Sequence, residues 1–170
     1  MLFNSFEFIF LFVPIVFIIY FIINAFTPYL GKIWLILSSL FFYSWWNPVH
    51  LPLILGSLVV NFITGSRLSK QATNHRKLLL SAGISFNVAL LGFFKYYDFF
   101  IHNVNTVFQS SLPLLELALP LAISFYTFQQ IAYLVDSYRG ETAGYRFTNY
   151  ALFVTFFPQL IAGPIVQHNE

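Results

Sequence analysis

The chain has 170 residues, of which 58% are hydrophobic and 8% charged, and its mean hydropathy is +0.74. Soluble domains carry about 25% charged residues, so this composition excludes a soluble globule and predicts an integral membrane protein. The formal net charge of +2 comes without a long basic run, which argues against nucleic acid as a partner, and the absence of cysteine excludes disulfides and thiolate chemistry.

Six apolar segments follow one another, and we expect an all-α, polytopic transmembrane helix bundle that forms a single membrane domain over residues 1–170. The first segment is longer than the apolar region of a typical signal peptide, and no Lys or Arg precedes it, so we interpret it as a retained helix. About 20 apolar residues are needed to cross a bilayer, which makes the second and sixth segments short or re-entrant. The approximate bounds are 6–24, 33–46, 51–65, 78–100, 112–138 and 147–163.

The basic residues predict the orientation of the bundle. They concentrate in the first, third and fifth connections between segments, which lie on one side if all six segments cross. The positive-inside rule makes that side cytoplasmic and the N-terminus extracytoplasmic. Lys95 falls near the other side, where Asp98 is expected to pair with it. The basic residues of the three connections are Lys32, Arg67, Lys70, Arg76, Lys77, Arg139 and Arg146.

The connection between the fourth and fifth segments has apolar residues at helical spacing over 101–109. This spacing predicts a short helix lying in the outer interface of the membrane. Ser111 and Pro113 then look like a helix start, which would place Glu116 close to the positive end of the helix dipole. Pro120 is expected to kink the fifth helix.

The fifth segment carries amides and hydroxyls inside apolar sequence. Tyr126, Gln130, Tyr133 and Ser137 fall on one helical face, and Gln129 lies beside them. Counted from Pro113 at about 1.5 Å per residue, the two glutamines lie past the midplane of the membrane. Such groups need protein partners or a water-filled cavity. Interhelical hydrogen bonding and a cavity-lining role are both open from the sequence.

The sixth segment contains Gln159 and is interrupted by Pro158, Gly163 and Pro164. It is either a kinked spanning helix or a re-entrant segment of the kind that lines substrate cavities, and simple termination by Gly-Pro is equally consistent with the pattern. No metal-ligand cluster or nucleophile motif is recognisable. The four histidines lie outside the apolar segments and are predicted to be solvated: His50, His75, His102 and His168.

Four stretches resemble the membrane-bound O-acyltransferase (MBOAT) family, and its bacterial alginate O-acetyltransferase branch in particular. They occur in the family's order, the opening MLFNSFEF also resembles that branch, and together they cover essentially the whole chain. The stretches are SLFFYSWWNP at 39–48, FFKYYDFF at 93–100, LPLAISFYTFQQ at 119–130 and FFPQLIAGPI at 156–165.

The resemblance implies an enzyme of the bacterial cytoplasmic membrane with a buried tunnel. Such an enzyme moves an acyl group from a thioester, acetyl-CoA or an acyl-carrier protein, to a hydroxyl of an extracytoplasmic polysaccharide, and accessory acetylation proteins are expected. It needs no bound cofactor or metal. The family's catalytic histidine lies beyond this chain, which we expect to be an N-terminal fragment without a catalytic residue and inactive alone. Residues expected to line or brace the tunnel are Tyr126, Gln129, Gln130, Tyr133, Gln159, Gly163 and Pro164.

Two other functions stay open on the residues alone. Broken helices and intramembrane amides are also found in transporters, although the chain shows no inverted repeat. A non-catalytic membrane subunit could use the basic stretch 67–77 to dock a soluble partner, but such a stretch is more often a topology signal.

Overall fold

The computed structural model describes residues 5–70, 75–142 and 144–162, and within these ranges the regular structure is helical, with no strand. The expected all-α fold is therefore confirmed. A π-helical stretch, Glu7–Phe12, runs directly into the first α-helix, and a 3₁₀ turn, Pro48–His50, leads into the third. The α-helices are α1 (Val13–Phe26), α2 (Pro28–Trp46), α3 (Leu51–Ser69), α4 (Arg76–Phe108), α5 (Ile123–Arg139), α6 (Phe147–Thr155) and α7 (Phe157–Ala162).

Prolines set the boundaries of the first helices. Thr27 is extended, and Pro28 follows as the first residue of α2, where its missing N–H costs nothing. The residues that precede the second apolar segment are therefore part of the same helix, and α2 reaches 19 residues. By length and composition, three of the described helical stretches can cross a membrane: Glu7–Phe26, Pro48–Ser69 and Arg76–Phe108. Multiple crossings are supported, and six spans stay a prediction.

Helix α4 is longer than expected, because its 33 residues at about 1.5 Å each give about 50 Å. The predicted interfacial helix over 101–109 is wrong as a separate element, since the helix continues unbroken to Phe108. The predicted Lys95–Asp98 pair is also wrong. Lys95 Nζ donates to Ser124 Oγ at 3.3 Å, and Asp98 accepts the backbone N–H of Leu115 at 2.8 Å.

The fifth apolar segment is helical only in its second half. Residues 110–120 have no helical structure, so Pro113 starts no helix and Glu116, with a φ of 46°, lies at no helix end. Pro120 precedes the helix instead of kinking it. Since α5 begins at Ile123, Gln129 lies about 9 Å along it, in its first half, instead of about 24 Å along a helix that starts at Pro113. Its location past the midplane of the membrane stays a prediction.

The sixth apolar segment is broken, as its proline predicted. The break falls at Phe156, whose ψ of 110° leaves the helical region, and Pro158 occupies the first turn of α7. The Phe157 N–H, which the break removes from the helix, donates to Ser39 Oγ of α2 at 3.3 Å. Helix α6 is too short to span a membrane alone, and the described part of α7 has six residues.

The core lies where α5 packs between α3, α4 and α6. Two glycines allow close approach of the helices. A Cβ on Gly65 would lie 2.3 Å from the Tyr133 ring, and a Cβ on Gly83 would lie 2.8 Å from Leu134. A second, aromatic cluster joins the start of the chain to α2 and α7 through Phe8, Phe12, Phe42 and Phe157.

All seven basic residues predicted to share a side lie at one end of the bundle. Contacts between helices establish this end: Lys32 at the start of α2 bonds Asn149 at the start of α6, and Arg76 at the start of α4 bonds the Tyr138 carbonyl at the end of α5. We call it the basic end. The side of the membrane that it faces stays a prediction.

Candidate functional site

The polar face predicted on the fifth segment is buried inside the bundle. Tyr126, Gln130, Tyr133 and Ser137 are each at most 1% exposed, and Gln129 is 5% exposed. Phe128, on the opposite side of the same helix, is 60% exposed. The face thus points into protein, as membrane burial of polar groups requires. Whether it lines a tunnel stays a prediction.

Gln130 belongs to a buried cluster of polar side chains that joins three helices, which we call the amide cluster. Asn61 Nδ2 of α3 donates to Gln130 Oε1 at 2.9 Å and to Asn87 Oδ1 of α4 at 3.1 Å. Asn87 Nδ2 donates back to Asn61 Oδ1 at 2.6 Å. Gln130 Nε2 donates to Ser57 Oγ at 3.0 Å. For Gln130, the structure favours interhelical hydrogen bonding over an open, cavity-lining side chain.

The members of the amide cluster are also anchored to their own helices. Asn61 Nδ2 donates to the Ser57 carbonyl, Asn87 Nδ2 to the Gly83 carbonyl, and Ser57 Oγ to the Ile54 carbonyl. Sequence reasoning missed Ser57, Asn61 and Asn87, although an amide in the middle of an otherwise apolar run is itself a signal. A satisfied polar cluster in the core fixes which helices meet and in which register.

Tyrosines fill the space between the amide cluster and the basic end. The Tyr133 and Tyr150 rings lie 4.2 Å apart between centroids, and the Tyr145 ring lies 6.3 Å from that of Tyr133. Ser137 Oγ accepts from Thr142 Oγ1 at 2.8 Å. Polar groups therefore follow one another from the core to the turn after α5. In that turn, burial raises the pKa of the Tyr145 hydroxyl, and nearby Tyr133 raises it further.

Other buried polar atoms have no hydrogen-bond partner among the described residues. Gln129 Oε1 and Thr127 Oγ1 are such atoms on α5. The Tyr43 and Tyr126 hydroxyls interact with each other but form no hydrogen bond of normal geometry. A buried polar group without a hydrogen-bond partner lowers the stability of the fold by about 1–3 kcal/mol. These atoms are therefore free to form hydrogen bonds with a ligand or with further protein.

Gln159 faces a cavity of about 320 Å³ between α2 and the α6–α7 break. Its Nε2 is itself buried and has no hydrogen-bond partner among the described residues, and the walls of the cavity are mostly apolar. This geometry suits a polar group on an otherwise apolar ligand. The remaining lining residues are Lys32, Leu35, Tyr145, Asn149, Leu152, Phe153 and Phe156.

The histidines divide between surface and core. His75 and His102 are exposed, as predicted. The prediction for His50 is wrong, because the 3₁₀ turn folds it inward: it is 7% exposed, its Nδ1 has no partner, and it meets the Phe94 ring edge to face at 6.4 Å. His168, Gly163 and Pro164 lie outside the described residues. Among the described residues, no group of His, Asp or Glu could hold a metal ion.

Comparison with known proteins confirms the resemblance inferred from the motifs. Over its whole length, the chain is 46% identical to a peptidoglycan O-acetyltransferase of Helicobacter pylori, of which it covers 38%. It is also 34% identical over its whole length to probable alginate O-acetylases of Pseudomonas aeruginosa and Pseudomonas putida, of which it covers 34% and 36%. No family model and no solved structure matches the chain.

The chain spans little more than a third of the length of the curated relatives that it matches. The similarity extends over all the helices described above, including the break between α6 and α7. Because the relatives are much longer, the comparisons show similarity to an O-acetyltransferase and to probable O-acetylases, and they leave the activity of the whole protein to be proposed and tested.

Proposed function

We propose that this chain contributes part of the membrane core of an O-acetyltransferase that modifies an extracytoplasmic polysaccharide. The observation that carries the proposal is the whole-chain similarity to proteins named for this activity, at 46% and 34% identity. The buried polar face of α5 and the cavity at Gln159 support it, because acyl transfer inside a membrane needs polar groups sheltered from lipid.

The acceptor that we favour is a hydroxyl of peptidoglycan. The identity to the peptidoglycan enzyme is 46%, compared with 31–34% for the alginate O-acetylases. Alginate, or a cell-wall polymer other than peptidoglycan, is the second choice. Both acceptors present a secondary or primary alcohol outside the cytoplasm, so the chemistry demanded of the membrane core is the same.

The donor that we propose is a cytoplasmic thioester, acetyl-CoA or an acetylated carrier protein. The acceptor oxygen attacks the thioester carbonyl carbon while a general base removes its proton, and collapse of the intermediate expels the thiolate, which is then protonated. We assign no residue of this chain as the base, because the described histidines lie outside the cavity at Gln159. In this scheme Gln129 and Gln159 brace or line the path of the substrates.

The proposed location is the bacterial cytoplasmic membrane, with the basic end of the bundle in the cytoplasm and the N-terminus outside. The distribution of charge supports this orientation, since seven of the eight Lys and Arg residues lie at that end. A donor on the cytoplasmic side then meets the basic end first. Accessory acetylation proteins would act on the outer side.

Ester-bound acetate tests the proposal directly. The native gene product is expressed in a bacterial strain without peptidoglycan or alginate O-acetylation, and acetate released by mild base is measured in purified peptidoglycan and in soluble polysaccharide. We expect ester acetate in peptidoglycan, and in inverted membrane vesicles we expect its label to come from acetyl-CoA or an acetylated carrier protein. Normal membrane insertion without ester acetate in either polymer would contradict the proposal.

A further inference from the structure

A polar cavity of about 300 Å³ opens at the basic end, where α2 and α6 both begin. It adjoins the cavity at Gln159, with which it shares Lys32 and Asn149. We call it the basic cavity. Its lining residues are Pro28, Tyr29, Lys32, Arg146, Thr148 and Asn149.

Two cations line this cavity without an acidic residue among its described lining. Lys32 Nζ is held in place by a hydrogen bond of 2.8 Å to Asn149 Oδ1, so the ammonium group is fixed at the junction of the two cavities. Arg146 lies at the start of α6 and is exposed to the cavity's mouth. Neutral Thr148 and Asn149 leave both positive charges uncompensated, which makes the space attractive to an anion.

The N-terminal ends of two helices add to the positive electrostatic potential in the basic cavity. Pro28 is the first residue of the 19-residue α2, and Arg146 directly precedes the nine-residue α6. Both helices thus turn the positive end of their dipoles toward the cavity that the two cations line.

We propose that the basic cavity binds a phosphoryl group whose attached chain extends into the cavity at Gln159. The fit rests on the two adjoining spaces: a cationic one of about 300 Å³ and a mostly apolar one of about 320 Å³. A phosphate ester that carries an extended, uncharged chain matches both. Two sources have this chemistry: the phosphopantetheine arm of a thioester donor, whose amides, hydroxyl and methyl groups are uncharged, and an anionic phospholipid, whose phosphate carries apolar acyl chains.

The first source rests on the proposed function, whereas phosphoryl binding itself does not. A binding assay therefore separates the two ideas, because it does not depend on transfer of an acetyl group. The full-length protein that carries this chain is placed in nanodiscs of a zwitterionic lipid, and binding of coenzyme A is measured by calorimetry. In a second arm, retention of phosphatidylglycerol over phosphatidylcholine is measured by native mass spectrometry.

The informative variant is Lys32→Gln with Arg146→Gln, and the matched control is Lys77→Gln with Arg139→Gln. The control removes the same charge from the same end of the bundle, at two exposed residues outside the basic cavity. Each lost charge-assisted contact weakens binding by about tenfold or more. We expect at least a tenfold loss in the first variant and less than about twofold in the control.

The outcomes are decisive in both arms. Loss of coenzyme A binding assigns the cavity to the donor, and loss of phosphatidylglycerol retention assigns it to a lipid; either result supports the phosphoryl site. If neither probe binds, or if the control weakens binding as much as the cavity variant, the site is overturned and the charges act only through the general field. Should the double variant not fold, Arg146→Gln alone, at an exposed position, carries the same expectation of about tenfold.

Discussion

Replacing Gln130 with Leu removes one member of the amide cluster at nearly constant side-chain volume. Two interhelical hydrogen bonds disappear: the one accepted from Asn61 at 2.9 Å and the one donated to Ser57 at 3.0 Å. Such bonds between membrane helices are worth about 0.6 kcal/mol each, and about 1.7 at most. The groups left behind keep other partners, because Asn61 still reaches Asn87 and Ser57 still reaches the Ile54 carbonyl. We therefore expect a loss of about 1–2 kcal/mol in the free energy of unfolding.

The neighbouring substitution Gln129→Leu is the matched control. Both side chains are glutamines buried on α5, but Gln129 Oε1 has no partner in the structure. Removing an unsatisfied buried group relieves its desolvation cost, so stability is expected to be unchanged or to rise. Asn61→Leu is the opposite extreme. It breaks both hydrogen bonds to Asn87, leaves Gln130 Oε1 and Asn87 Oδ1 without a partner, and is expected to cost about 2–4 kcal/mol.

The free energies can be measured by steric trapping or by denaturant titration of the protein in bicelles. The expected order of destabilisation is Asn61→Leu, then Gln130→Leu, then Gln129→Leu. Acyl transfer by the full-length protein is the second measurement. Among the three variants, only Gln129→Leu is expected to lose acyl transfer while its stability is unchanged. Equal stability of the Gln129 and Gln130 variants would refute the assignment of Gln130 to helix packing.

Two further predictions concern packing and orientation. Gly65→Ala places a Cβ 2.3 Å from the Tyr133 ring and is expected to destabilise the protein by about 1–3 kcal/mol. On the same helix, a Cβ at Gly56 meets nothing within 4 Å, so Gly56→Ala should stabilise by up to about 1 kcal/mol. Similar thermal midpoints for the two variants would contradict the packing of α3 against α5. Because the chain has no cysteine, single-cysteine variants report topology: an impermeant maleimide should label Asn103→Cys in spheroplasts and Arg139→Cys only in inverted vesicles, and the reverse pattern would invert the orientation.

Helical periodicity predicted the buried face of α5 correctly because burial of amides in a membrane leaves little choice. Tyr126, Gln130, Tyr133 and Ser137 recur at three- and four-residue spacing, and lipid offers them no hydrogen bonds. That argument needs only the local period and the nature of the solvent. It could not decide between packing and cavity lining, because the partners of Gln130 lie 69 and 73 residues away on α3.

Hydropathy alone did not predict the backbone conformation at the start of the fifth apolar segment. Residues 110–120 are apolar enough to extend the fifth segment, yet they are not helical. Pro113 and Pro120 disfavour helical geometry at the residues that precede them, and Glu116 and Ala122 adopt left-handed conformations. Composition sets where a segment prefers to lie, whereas proline spacing sets whether the chain can be helical there. The two signals conflicted in this segment, and the backbone restriction prevailed.

The break between α6 and α7 shows how a local sequence rule creates the candidate site. Pro158 has no N–H to continue the α6 ladder, so the helix ends before it, and an end inside a membrane protein requires new partners. Ser39 of α2 supplies one of them by accepting the Phe157 N–H. The restart of the helix places Gln159 in the cavity against α2, next to Lys32. The break before Pro158 therefore sets where Gln159 lies, and the Ser39 hydroxyl of α2 stabilises that break by accepting the Phe157 N–H.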